Sequence, residues 1–376
     1  MSIVSLQLYP LLLLVLILWG AKVSRKEIAA EFWSVDQTKM MQGVLCICVV
    51  LHHVTQEISS YGSRNVGPIT WFSDIGFLFT GIFFFISGYG LVTNLLHRPD
   101  YLKHFIPKRL GAVLIPFWFV NLLLVMAGIF IFGDHKTTLR GVMEVFGLRL
   151  VNSNGWYIVE IVLFYLMFYL LCYCIKNKDV ALVLLSVFAL AIIRYAFFTG
   201  HDPTGQNATW FRGEWWYNAT IMFVVGLWYA RFREKANGVL ERGYKVILPV
   251  VAILTVASMY ASRYVLGRYG YYHEQLAFGH RDALITLLVQ CVSCVIFTLL
   301  VVLLNMRITI GNPILRYLSK ISMTLFLVHG FFVHRVFAEV HMSDFLRYAA
   351  ILATGIACAS IVAPVTRFLS KQAIEY

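Results

Sequence analysis

From Lys39 to His53 the chain reads KMMQGVLCICVVLHH, an apolar run with its polar side chains at the two ends. At 100° per residue, Gln42 and His53 lie about 20° apart around a helix axis, with Lys39 about 40° from His53, so one stripe carries all three. Eleven residues rise roughly 16 Å, about half a bilayer core. Such a helix holds a polar amide near one surface and a titratable ring deeper in. Imidazole takes a proton from a hydroxyl near neutral pH, and a carboxylate beside it fixes its tautomer and steadies the imidazolium; the chemistry is general-base catalysis. The competing reading is that His52 and His53 are interfacial residues at a helix end.

Two further groups of residues bear on this. Glu160, in WYIVEIV, and His329, in TLFLVHGFF, also fall within apolar runs, where an ionisable group is costly and faces the bundle interior. Glu160 reads either as the acid assisting His53 or as a member of a structural ion pair. Near the opposite surface are Lys39, Gln42, Lys108 and Arg109, suited to charge-assisted bonds with phosphate. The positive-inside rule also accounts for Lys108 and Arg109. No GxSxG, HExxH or Walker phrase is present, which removes the corresponding hydrolase readings.

The elements that position these residues are spans. Of 376 residues, 60% are hydrophobic and 13% charged, too little polar surface for a soluble chain. The +12 charge lies in short loops between apolar runs, which fits topology rather than nucleic-acid binding. All seven cysteines lie in apolar runs and read as small hydrophobes; the CxxC of Cys291 and Cys294 has no partner pair, so neither a metal nor a disulfide is expected. The expected fold is an all-α polytopic transmembrane helix bundle of about eleven spans, near residues 3–21, 39–56, 71–96, 110–132, 155–174, 180–198, 219–230, 246–264, 284–304, 322–333 and 345–368. Of the 31 Lys and Arg, this arrangement puts 20 inside and 11 outside, with the C-terminus inside. The division is residues 1–30, an extra N-terminal helix and basic inner loop, and 31–376, one membrane domain. No repeat points to the inverted halves of a transporter.

Six phrases, in order, carry a resemblance: QGVLCICVVLHHV at 42–54, GIFFFISGYGL at 81–91, PKRLGAVLIPFW at 107–118, WYIVEIVLFY at 156–165, FVVGLWYA at 223–230 and LSKISMTLFLVHGFFV at 318–333. Together they are similar to the acyltransferase 3 family, membrane enzymes that move an acyl group, often acetyl, from cytosolic acyl-CoA to hydroxyls of cell-surface carbohydrates. The likeness runs from about Gln37 to Phe368 and implies a ten-helix core, to which residues 3–21 are additional. It implies His53 as catalytic base with Glu160 assisting, and Lys39, Gln42, Lys108 and Arg109 holding the donor. Ser87, Tyr89, Trp156, Tyr157, Ser322 and His329 fall in the matching phrases as acceptor or structural positions. The chain departs from the family at Gln42, where members carry Arg or Lys, then ten residues, then the histidine; Lys39, one turn earlier, is the expected substitute cation. The resemblance also implies no bound cofactor, acyl-CoA as co-substrate, the lipid bilayer and a carbohydrate acceptor as partners, glycan biosynthesis or export proteins as associates, and a bacterial cytoplasmic membrane. A saccharide exporter or an inactive relative is the alternative. Aromatics at 156, 157, 215 and 216 are read as sugar-stacking or as an interfacial belt. The sequons at Asn207 and Asn218 matter only in a eukaryotic secretory pathway.

Overall fold

In the computed structural model, which describes residues 3–25, 27–29, 32–199, 216–269 and 280–375, nearly every element is helical. In chain order they are α1 (Ile3–Leu6), α2 (Leu8–Leu18), α3 (Val35–Ile58), α4 (Gly76–His97), α5 (Ala112–Phe130), α6 (Thr138–Val145), α7 (Trp156–Cys174), α8 (Lys178–Thr199), α9 (Ile221–Arg231), α10 (Arg233–Arg242), α11 (Tyr244–Tyr269), α12 (His280–Arg307), α13 (Pro313–Phe331) and α14 (Asp344–Glu375). Lys22–Val23 and Ile308–Thr309 form one short antiparallel pair, β1 and β2. A π-helical turn, Ile106–Gly111, leads into α5, and another, Phe332–Val336, follows α13.

Eight helices among the described residues are long and apolar enough to cross a membrane. The expected count of about eleven is not confirmed, because three of the expected spans fall short in length or apolarity. Leu8–Leu18 and Ile221–Arg231 have 11 residues each, roughly 16 Å at 1.5 Å per residue, about half a bilayer core. The third, α13, is interrupted by Arg316, Lys320 and His329. A short α9 is tolerated because it lies against protein: Met222, Phe223 and Leu227 are fully buried.

Local signals start the helices that matter. Ser34 caps α3, its side chain accepting the Gln37 N–H, with Asp36 in the first turn. Asn312 caps α13 through the Leu315 N–H, followed by Pro313 at the first helical position. Their crossings are set by small residues, as is usual where lipid gives helices no hydrophobic reason to associate. In α4, a Cβ on Gly88 would meet the Phe223 carbonyl of α9; reciprocally, one on Gly226 would meet the Phe85 carbonyl. The rings around this contact form the core, with Phe164 of α7 stacked on Phe223 at 4.5 Å and 14°. The N-terminal segment docks on the other side: Tyr9 Oη donates to the Phe345 carbonyl at 2.6 Å, and Asn312 Nδ2 donates to the Leu16 and Trp19 carbonyls.

Candidate active site

Helices α3 and α13 run parallel in matched register. At their starts, the Gln37 side-chain amide makes both hydrogen bonds to the backbone of Ile310, at 2.8 and 2.9 Å. Further along, Gly43 lets α3 approach Leu315 and Ser319 so closely that a Cβ would press on their backbone at 3.1 and 3.0 Å. Cys46 Sγ donates to the Ser322 carbonyl at 3.1 Å. Ten residues beyond Gly43 and Ser319, the same register sets the His53 ring against that of His329, with centroids 5.1 Å apart.

The two rings are held differently. His329 is fully buried; Asn154 Nδ2 donates to its Nε2 at 3.1 Å, so its Nδ1 carries the hydrogen, directed at the Leu325 carbonyl 3.2 Å away. Asn154 is placed by a tight turn in which Asn152 Oδ1 accepts its N–H and Asn152 Nδ2 donates to the Leu327 carbonyl at 2.8 Å. Gly330 makes room for this turn, since a Cβ there would strike both asparagine side chains. For His53, Nδ1 faces Gln56 Oε1 at 3.2 Å. With Nδ1 donating to the amide oxygen, Nε2 keeps its lone pair, which is the tautomer of a general base. The neighbouring His52 is tied down: its Nδ1 donates to the Phe72 carbonyl at 2.6 Å, and a Cβ on Gly76 would enter its ring.

A cavity of about 490 Å³ opens over His53, bordered also by His52, Gln56, Asp74, Asn154, Trp156 and His334. The π-helical turn after α13 carries His334 to its rim, where Nδ1 lies 3.0 Å from Glu57 Oε1 and the ring centroid 6.4 Å from that of His53. Arg335 and Asp134 pair at 2.6 Å, and Asp134, Lys136, Glu144 and Arg140 continue the chain of ion pairs away from the rim. Across the cavity, Asp74 follows the turn Pro68–Ser73; it accepts from the Ser73 hydroxyl at 2.8 Å and lies 3.5 Å from Arg263, whose guanidinium stacks on Trp71. Burial pushes the Asp74 carboxyl above its ordinary range, with Ser73 and Arg263 acting against that.

Several expected positions lie elsewhere. Glu160 does not border the cavity: it is fully buried on α7, with Oε1 accepting the Thr220 hydroxyl at 2.7 Å and Oε2 without a partner among the described residues. The group beside His53 Nδ1 is therefore an amide, Gln56, and not this carboxylate. Trp156, one turn earlier, does border the cavity, and Tyr157 packs behind it with its hydroxyl 3.3 Å from Ser87. Tyr89 stands at the far end of α4 among Trp33, Phe85 and Tyr229, under the Arg233 guanidinium. Ser322 Oγ bonds back to the Ser319 carbonyl of its own helix. Lys39 and Lys108 lie away from the cavity, as does the half-buried Gln42; Arg109 donates to the Tyr101 hydroxyl at 2.9 Å, and none of the four borders the cavity. Trp216 is 1% exposed, packed on Trp156 at 5.6 Å, so it is core and not a surface for sugar. Asn218 is buried, closed to a glycan, whereas Asn207 and Trp215 fall outside the described residues.

Sequence reasoning passes over Gln56, Asp74, Asn152, Asn154 and His334. Gln56 has a signal, one helical turn from His53 on the same face. The asparagines spell an Asx turn, NSN, ahead of a span. His334 escapes because the tenth apolar run ends at Val333, one residue short. Among the described residues no group of three or more His, Cys, Asp or Glu is placed to hold a metal ion.

Residues 37–364, nearly the whole chain, match the family model described as an acyltransferase domain. Neither a curated protein nor a solved structure gives a match.

Proposed function

The chain belongs to the acyltransferase 3 family, and from that premise we propose that it is an integral membrane O-acyltransferase that moves an acetyl or other short acyl group from cytosolic acyl-CoA to a hydroxyl of a cell-surface or lipid-linked carbohydrate. The observation that carries the reading is His53 on the wall of the 490 Å³ cavity, its Nδ1 committed to Gln56 and its Nε2 left with a lone pair. In this reading the acceptor hydroxyl gives its proton to His53 Nε2 as its oxygen attacks the thioester carbonyl. The tetrahedral intermediate collapses with cleavage of the carbon–sulfur bond. The departing thiolate then takes the proton from the imidazolium, which restores His53 and releases free CoA.

The remaining residues take supporting roles. His329, locked by Asn154 and Leu325, gives the His53 ring a rigid neighbour, and rigidity of this kind keeps a base within bonding reach of its substrate. Trp156 offers an aromatic wall, and Asp74 and His334 offer hydrogen-bonding groups for sugar hydroxyls. The C-terminus and the basic loops face the cytosol of a bacterial cytoplasmic membrane. Donor phosphates approach from that side, as Lys39, Gln42, Lys108 and Arg109 suggest. Glu160 acts at a distance, through Trp156 and the α7–α9 packing.

The test is release of CoA thiol from acetyl-CoA by purified protein with a mixed glycan acceptor pool. Wild type is expected to turn over and His53→Ala to lose activity by about 10²- to 10⁴-fold, the usual contribution of a positioned base. Turnover unaffected by His53→Ala refutes the base assignment. Failure of wild type to turn over or to bind CoA turns the reading toward an exporter or an inactive relative.

A further inference from the structure

A second cavity, of about 350 Å³, lies between the start of α5, the middle of α13 and the C-terminal part of α14. Ala112, Pro116, Met323 and Ala363 give it an apolar wall, and Lys320, Arg367 and Lys371 stand exposed at its rim. Among the described residues that border it, none is acidic. Neither Lys320 nor Arg367 has a carboxylate of the described residues within ion-pair distance; the Arg367 Nε hydrogen goes to the Ala363 carbonyl of its own helix, leaving the rest of the guanidinium fork open. Arg367 and Lys371 are four residues apart on one face of α14, a spacing at which like charges repel. A topology signal requires cations near this end of the bundle, but not their convergence on one hollow. Ser370 adds an independent sign: it is 8% exposed, borders the same cavity, and its Oγ has no partner among the described residues. A buried hydroxyl left unbonded is destabilising, and a ligand oxygen would satisfy it.

We propose that this cavity binds a phosphate ester. Lys320, Arg367 and Lys371 take the anionic oxygens by charge-assisted hydrogen bonds, and the Ser370 hydroxyl donates from deeper in. The apolar wall suits the organic part of the ester. Two sources share this chemistry: the phosphates of the acyl-CoA donor, or the phosphodiester of an anionic lipid headgroup. The first rests on the acyl-transfer reading and would set the donor on α13, where the nine residues from Lys320 to His329 span roughly 14 Å. The second is independent of that reading.

Two binding measurements on the full-length protein separate them. One is the affinity for adenosine 3′,5′-bisphosphate, the nucleotide end of CoA, in phosphatidylcholine nanodiscs. The other is retention of phosphatidylglycerol, seen by native mass spectrometry after extraction from vesicles of equal phosphatidylglycerol and phosphatidylcholine. The triple variant Lys320→Gln, Arg367→Gln, Lys371→Gln is expected to weaken at least one of the two by tenfold or more, while Lys320→Arg, Arg367→Lys, Lys371→Arg keeps it. Loss of nucleotide affinity assigns the donor; loss of phosphatidylglycerol assigns the lipid. All three side chains are exposed, so the variants fold. Equal behaviour of the neutral variant and wild type in both measurements, or no binding by wild type in either, overturns the proposal. Both measurements read binding alone, so a failure of acyl transfer changes neither result.

Discussion

Replacing Gln56 by Ala removes the group that fixes the His53 tautomer and little else. The bond is neutral and long, 3.2 Å from His53 Nδ1 to Gln56 Oε1, which places it in the ordinary range of about 0.5–1.5 kcal/mol. At 1.36 kcal/mol per factor of ten, Gln56→Ala should lower kcat roughly two- to tenfold. His53→Ala removes the base itself and should cost about 10²- to 10⁴-fold. The second contact of Gln56, to the Ser73 carbonyl at 3.5 Å, is too long to add much. The assay is CoA-thiol release under saturating acetyl-CoA and acceptor, run on both variants and wild type. A Gln56→Ala protein as inactive as His53→Ala contradicts this account, because Gln56 would then have to touch the substrate. An unchanged kcat contradicts it too, since the tautomer would be set by something else.

Other substitutions probe the surroundings. His52→Ala leaves the Phe72 carbonyl without its partner and opens space beside Gly76, so it should cost about 1–3 kcal/mol of stability, visible as a lower Tm in detergent. Turnover should largely survive, and loss equal to that of His53→Ala would mean the two rings share the role. Glu160→Gln keeps the bond from Thr220, and among the described residues no cation lies within ion-pair distance of Glu160. It should therefore fold with a Tm close to wild type and lose less than about tenfold in kcat; a loss as large as that expected for a general base would give Glu160 a direct part in the chemistry. The Asp74 carboxyl is raised by burial from its ordinary value of 3.8. The folded chain thus holds this proton more readily than the unfolded one, and stability falls as pH rises from 3.8 through the folded value. Asp74→Asn should flatten that part of a Tm-against-pH curve, and an identical slope in both proteins would show that another group is responsible.

The features legible in the chain alone were local ones. Long apolar runs and the six family phrases are properties of short stretches, so the membrane bundle and its family were readable from them. So was the stripe that Lys39, Gln42 and His53 share, because the angular position of a side chain on one helix follows from 100° per residue. Helix-to-helix placement followed no such rule. It depends on where backbones approach most closely, and that is decided by glycines at Gly43, Gly88, Gly226 and Gly330, whose partners are distant in the chain: Leu315 and Ser319, Phe223, Phe85, and Asn152 with Asn154. Only the assembled bundle therefore shows that Gln56 and His329 face His53 while Glu160 turns to Thr220, and that protein covers the short α9. The same holds for His334: its π-helical turn lies beyond the apolar run, and only the fold brings it back to the cavity rim. The basic cavity is the clearest case. Lys320 and Arg367 are far apart along the chain, and the packing of α5, α13 and α14 alone makes them neighbours across one hollow.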